Sequence, residues 1–145
     1  MVHACIDPLY YMNKKNTILI VDDDQSIIEI VSIILSNAGY DVITDTDGSL
    51  PFLKSISFPD LILLDNQLGN KSGAEICRLL KANELTGNIP VILVSATEGL
   101  PEIAGKACAD DFLSKPFDIQ ILLQKIESLL HKKLMRPGYE AHVHN

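Results

Sequence analysis

The sequence predicts an α/β protein, a doubly wound five-stranded parallel sheet with five helices, on three observations. Short runs rich in Val, Ile and Leu recur along the chain, each reading as a strand buried on both faces. Segments with helical character separate them, as a parallel sheet with crossover helices requires. Four of the runs end in ionisable or hydroxyl residues: Asp22 with its neighbours, Asp65, Ser95 and Lys115. Doubly wound sheets bind ligands at the carboxyl ends of their strands, so these endings share one edge.

The first run, "TILIV" (17–21), is continuous and β-branched. Gln25 to Asn37 follows as a helix with a polar stripe of Glu29, Ser32 and Ser36 and a stop signal at Gly39. "YDVIT" (40–44) is the second strand, and residues 47–57 are predicted as a short helix that tolerates Pro51 only near its first turn. "DLILLD" (60–65) is the third strand and "GAEICRLLKAN" (73–83) the third helix. "PVILVS" (90–95) is the fourth strand, followed by a short helix, "PEIAGKACA" (101–109), with Pro101 near its start. "DFLSK" (111–115) closes the sheet, and Ile119 to Lys133 is the last helix. Residues 1–16 read as an N-terminal extension, 17–134 as the domain and 135–145 as a C-terminal tail.

At 145 residues the chain suits one domain, and 47% hydrophobic with 21% charged residues fits a folded globular chain. A net charge of -7 argues against direct nucleic-acid binding, which needs a basic patch. No apolar run is long enough to span a membrane, and the first residues lack the apolar core of a secretion signal, so a cytoplasmic location is expected. Cys5, Cys77 and Cys108 are odd in number and far apart, as reduced thiols would be, with Cys77 a small buried hydrophobe. The histidines, at 3, 131, 142 and 144, lie mostly in the termini and suggest no zinc site.

The triplet Asp22–Asp24 admits three readings: a solvated turn, a helix cap or part of a cation site. Asp24 is most simply the cap of the helix that follows. Asp22 and Asp23, brought beside Asp65, would not all stay ionised unless a cation joined them, and a few hard oxygen ligands suit Mg²⁺. Lys115 and Ser95 at the same edge add what a transferring phosphoryl group needs, positive charge and a hydrogen-bond donor. A carboxylate can itself accept that group as an acyl phosphate. "DTDGS" (45–49) resembles a calcium loop, but Ile43 and Lys54 spoil the ligand positions, leaving a turn. Asp110 and Asp111 read as exposed turn residues.

From about Thr17 to Lys133 the chain resembles a two-component response-regulator receiver domain through "ILIVDDD", "DLILLDNQLGNKSG", "PVILVSAT" and "ADDFLSKPF". The resemblance implies a chemotaxis-receiver-like, flavodoxin-like sheet in the order 2-1-3-4-5. It implies Asp22 and Asp23 as the acidic Mg²⁺ pair and Asp65 as phosphoacceptor. Ser95 matches the switch hydroxyl, Lys115 the family's lysine and Phe112 the aromatic that rotates with the switch. The residue after or two after the phosphoacceptor, Asn66 or Gln67, would lend a backbone carbonyl to the metal, and Gln67 is the position assigned. The side chains of Gln67 and Thr97 match positions that tune dephosphorylation, and the Lys115–Pro116 bond would be cis. The implied partners are a sensor histidine kinase or histidine phosphotransfer protein, docking on the apolar first helix, and an unidentified downstream protein. A homodimer through the fourth-helix face is also implied. Such a domain catalyses only its own phosphorylation and dephosphorylation, so it is not an enzyme acting on other substrates.

Three departures stand out. Gly69 replaces a usual proline, predicting a more flexible loop; Cys108 replaces a usual glycine, placing a left-handed helix cap in question; and the span from Ser95 to Lys115 is short, predicting a truncated fourth helix. Two other classes compete. One is a Mg²⁺ phosphohydrolase of the haloacid dehalogenase type, with Asp22 as nucleophile and Asp24 as acid/base. The other is an interaction module independent of phosphorylation.

Overall fold

The computed structural model describes residues 14–54 and 57–135. Much of the predicted N-terminal extension and nearly all of the tail, with Cys5, His3, His142 and His144, lie outside the described residues. Five parallel strands form the sheet: β1 (Thr17–Val21), β2 (Asp41–Asp45), β3 (Leu61–Asp65), β6 (Val91–Ser95) and β7 (Asp111–Ser114). A hairpin of two short strands, β4 (Gln67–Leu68) and β5 (Lys71–Ser72), lies between β3 and the next helix. The sheet order is β2-β1-β3-β6-β7, which is 2-1-3-4-5 when the five long strands alone are counted. The predicted doubly wound fold is the observed one.

Side chains alternate across each strand, so every central strand feeds two cores. Leu19, Val21, Ile62, Leu64, Val91 and Leu93 face one side, against Cys77 and Leu80 of α2 (Gly73–Ala82) and Leu100 and Ala104 of α3 (Leu100–Lys106). Ile18, Ile20, Leu61, Leu63, Ile92 and Val94 face the other, against α1 (Gln25–Asn37) and α4 (Ile119–Met135). All five residues of β3 and of β6 are buried, which is why those runs carry no polar alternation.

Four α-helices are found among the described residues, against five predicted. The predicted second helix is a single 3-10 turn, Pro51–Lys54. The carboxylate of Asp45 explains the difference. It accepts the N–H groups of Asp47 (3.1 Å) and Leu50 (2.8 Å), holding "DTDGSL" as a turn and Leu50 at φ +52. Local side-chain bonds of this kind compete directly with a helix.

The other helix ends follow their sequence signals. Asp24 caps α1, accepting from Ser26 N–H at 2.9 Å and Ile27 N–H at 3.4 Å. At its far end Gly39 is left-handed (φ +97), with Tyr40 N–H donating to Leu35 O and Gly39 N–H to Ser36 O. The same pair of bonds ends α3: Ala109 N–H donates to Ala104 O and Cys108 N–H to Gly105 O. Cys108 therefore takes the left-handed position (φ +59) in glycine's place. The cap forms, at the strain of a side chain there. The helix itself is short, seven residues from Leu100 to Lys106.

Two further readings gain detail. Ile30 and Ile33 of α1 are more than half exposed, so apolar surface lies beside the narrow polar stripe, of which Glu29 and Ser36 are exposed. Asp110 and Asp111 are tied to neighbours: Asp110 accepts Val91 N–H (2.8 Å) and pairs with Lys81, and Asp111 pairs with Lys125 at 2.8 Å. Both sit at the start of β7, where carboxylates reach the backbone and lysines of adjoining elements.

Burial raises the Cys77 thiol to about 11, whereas Cys108 is exposed. In a Cys5→Ser background, an alkylating reagent at pH 8 is expected to modify one thiol in the native protein and two in denaturant. Mass spectrometry of the native adduct should find Cys108 alone.

Candidate functional site

Strand register assembles the site. Val21 pairs with Leu64 in the β1–β3 ladder, so Asp22 and Asp65, each one residue further on, emerge side by side. Asp65 pairs with Val94, which puts Ser95 at the next step of the edge. Ser95 pairs with Ser114, so Lys115 follows as β7 ends, its N–H donating to Ser95 O at 2.9 Å. Four strand endings that are distant in sequence thus converge.

Lys115 Nζ lies 3.0 Å from Asp22 Oδ2 and 3.0 Å from Asp65 Oδ1, and both carboxylates are buried. The remaining oxygens are also held: Asp24 N–H donates to Asp22 Oδ1 (2.9 Å) and Gln67 N–H to Asp65 Oδ2 (3.2 Å). Asp23 is exposed, and its Oδ2 accepts Gly69 N–H at 3.0 Å. One oxygen from each of Asp22, Asp23 and Asp65 lies within 4.8 Å of the others. Such close carboxylates with oxygen-only chemistry fit a hard divalent cation.

Electrostatics follow from burial. Desolvation raises the Asp65 carboxyl above its ordinary 3.8; the hydrogen bond from Lys115 opposes this, and the charge of Asp22 adds to it. Burial works against the charge of Lys115, but its bonds to Asp22 and Asp65 prevail and hold the ammonium above 10.5.

Ser95 Oγ is buried, donates to Thr97 Oγ1 at 2.9 Å and accepts Thr97 N–H at 3.1 Å. Gln67 Nε2 reaches Thr97 Oγ1 at 3.5 Å, joining the β3 loop to the β6 loop. The Asn66 carbonyl accepts Gly73 N–H at 2.8 Å, which leaves Gln67 as the better carbonyl donor of the two considered. Phe112 lies apart from this group, on β7, half-buried with Lys125 Nζ 5.5 Å from its ring centroid. The Lys115–Pro116 bond is cis.

Sequence reasoning missed three supports. Gly73 is required because a Cβ there would meet Asp65 O at 2.1 Å, which is backbone and cannot yield. The Asn66 side chain accepts Ala74 N–H (2.9 Å) and fixes the start of α2. Gly69 N–H holds Asp23. Gly69 and Gly73 stand out in the sequence as positions of the family's loop, Gly73 as its later glycine, but neither bond partner nor close approach is legible there. Asn66 carries no signal for the start of α2.

The fold and the edge cluster together define a small α/β signalling domain carrying an acidic site. The chain belongs to the response regulator receiver domain family, whose model matches residues 18–127. It is 40% identical over 128 residues to the DNA-binding dual master transcriptional regulator RpaA of Synechocystis, covering 86% of this chain and 53% of that protein. It is 36% identical over 124 residues to the alkaline phosphatase synthesis transcriptional regulatory protein PhoP of Bacillus subtilis, covering 83% and 50%. The chain therefore spans about half the length of the curated relatives it matches. Among solved structures, a response regulator from Chloroflexus aurantiacus matches with a TM-score of 0.74 and 29% identity, over 81% of this chain and 99% of that one. The receiver domain of the sensor histidine kinase PA1611 of Pseudomonas aeruginosa, solved with magnesium in its active-site cleft, matches at 0.73 and 26%, over 81% and 99%.

A folded carboxyl with a raised pKa binds its proton more tightly than the unfolded chain does. The stability it confers therefore falls as pH rises from about 4 through the folded value. In chelator, the melting temperature of Asp65→Asn relative to the unaltered protein is expected to rise between pH 4 and pH 7.5. A difference independent of pH would contradict the raised value.

Proposed function

We propose that this domain accepts a phosphoryl group on Asp65 from a phosphohistidine, with Mg²⁺, and that the phosphorylated state changes the surface it offers a downstream protein. The observation that carries the reading is the trio of carboxylates within 4.8 Å, bridged by Lys115 and flanked by a buried serine hydroxyl. Asp65 is the acceptor because it lies at the centre of the edge, between Asp22 and Ser95, with one oxygen on Lys115 and one on a backbone N–H.

In the reaction an Asp65 oxygen attacks phosphorus, a P–O bond forms and the P–N bond to the donor imidazole breaks. The imidazole nitrogen keeps the electron pair and takes a proton. Asp22, Asp23 and Asp65 carboxylates with the Gln67 carbonyl would hold Mg²⁺, which when bound offsets their charge and that of the phosphoryl oxygens. Lys115, already on Asp65, is in reach of the transferred group. The Ser95 hydroxyl can exchange Thr97 for a phosphoryl oxygen, and that exchange with a movement of Phe112 would be the switch. Gln67 and Thr97, whose side chains meet at 3.5 Å, would govern water's approach and hence dephosphorylation.

Asp24 Oδ1 takes both cap bonds of α1, a role that the phosphohydrolase reading, which needs Asp24 as acid/base, does not explain. Residues 17–134 form the receiver unit in this proposal, working in the cytoplasm. Among the described residues no helix is long and apolar enough to cross a membrane. The donor is a sensor histidine kinase or histidine phosphotransfer protein. It would dock on the exposed Ile30 and Ile33 and the adjoining apolar groove of about 460 Å³, whose lining includes Lys115. DNA binding, named for one relative, is not assigned to this domain; a homodimer is.

Incubation with Mg²⁺ and a small phosphodonor is expected to yield an acid-stable, base-labile adduct on Asp65. Its persistence in Asp65→Ala would refute the acceptor assignment. Ile30→Asp with Ile33→Asp is expected to slow transfer from a phosphohistidine protein about tenfold or more, by burying charge at the interface. Phosphorylation by the small donor and the melting temperature should change little. Equal slowing with both donors would remove the docking role.

A further inference from the structure

Asp23 is the weakly held member of the carboxylate trio. Asp22 and Asp65 are buried and tied to Lys115, whereas Asp23 is exposed and its described hydrogen bond comes from Gly69 N–H. Without a cation, repulsion from Asp22 and Asp65 drives an exposed carboxylate toward solvent. Something must keep it in the cluster.

The donor is itself fixed. Gly69 sits at the tip of the β4–β5 hairpin at φ +60, which turns its N–H toward Asp23. The hairpin base is closed by Gly73 N–H on Asn66 O, and its far strand is pinned by Lys71 Nζ donating to Asp47 O at 3.0 Å. The bond and the cluster also coexist: the same Asp23 rotamer accepts from Gly69 and places an oxygen within 4.8 Å of Asp22 and Asp65. A carboxylate has lone pairs enough for both an N–H and a cation. Proline, which lacks an N–H, could not serve here.

Resting on the proposed Mg²⁺ site, we propose that Gly69 is a positioning residue for the cation: its backbone N–H preorganises Asp23 and so raises Mg²⁺ affinity before any phosphoryl group arrives. The hairpin tip, which carries no ligand side chain, thereby sets how tightly the site holds its metal. An ordinary net hydrogen-bond contribution, as fits an exposed carboxylate, translates into roughly three- to tenfold in affinity.

The test compares Gly69→Asn, which keeps the N–H, tolerates a left-handed φ and meets no atom within 4 Å of its Cβ, with Gly69→Pro, which removes the N–H. Proline, with φ fixed at about -65, also turns the loop, so amide exchange is needed to isolate the bond. Calorimetric titration with Mg²⁺ is expected to give Gly69→Asn an affinity within about twofold of the unaltered protein and Gly69→Pro one about three- to tenfold weaker. Equal affinities for the two variants overturn the proposal. So does equal weakening of both, which would assign the effect to backbone freedom rather than the N–H. A second arm needs no proline: in metal-free protein the Gly69 amide is expected to exchange with solvent about fivefold or more faster in Asp23→Ala, which has no acceptor for it, than in the unaltered protein. Identical exchange overturns the bond itself. Failure of the unaltered protein to bind Mg²⁺ would instead strike the proposed function, and this inference with it.

Discussion

Everything at the carboxyl edge of this sheet depends on one ammonium group held between two buried carboxylates. Lys115 contacts Asp22 and Asp65 at 3.0 Å each, and so ties the ends of β1, β3 and β7 into one unit. Two like charges at the ends of neighbouring strands would otherwise repel across the edge, since both are largely removed from water. The bridge leaves the site short of full compensation, because three carboxylates share one lysine. That residual negative charge is what the proposed cation would offset.

The backbone around the bridge is built to the same end. Gly73 approaches Asp65 so closely that no side chain fits, and its N–H closes the loop on Asn66. The β4–β5 hairpin then carries Gln67 N–H to Asp65 and Gly69 N–H to Asp23. On the other side, the Asp45 carboxylate organises the turn after β2, and its carbonyl receives Asp22 N–H at 3.1 Å. The site is thus framed by backbone donors whose positions come from the short hairpin and the turns beside it rather than from the five-stranded sheet. The expectation of a looser loop at Gly69 finds no support in this bonding: the glycine makes possible a bond that anchors the loop.

Legibility in the sequence tracked the range of the forces involved. The strands were visible because burial on both faces demands uninterrupted apolar runs, as in "LILLD" and "VILVS". The α1 cap at Asp24 and stop at Gly39 were visible because both act within a few residues. The Pro51 segment misled, because helix propensity there loses to a carboxylate six residues earlier in the chain. Cys108 misled in the other direction: the two hydrogen bonds ending α3 hold a left-handed residue that lacks glycine's freedom. Asp110 is exposed, as its turn-like sequence suggests, and Asp111 is half-buried in β7; their partners Lys81 and Lys125 come from other elements and were not legible.

The sequence by itself determined the fold class, the identity of the strand endings and the chemistry they could support. Hydrophobic periodicity is a local property, and the ends of buried strands are where polar residues become tolerable. What only the tertiary structure decided was which of those residues meet. Asp22, Asp65 and Lys115 become one group because parallel register brings their strands level. Asp23 joins them through the N–H of a residue far along the chain. Distances of that kind are set by packing across the sheet and by loop closure, and no spacing in the linear sequence records them.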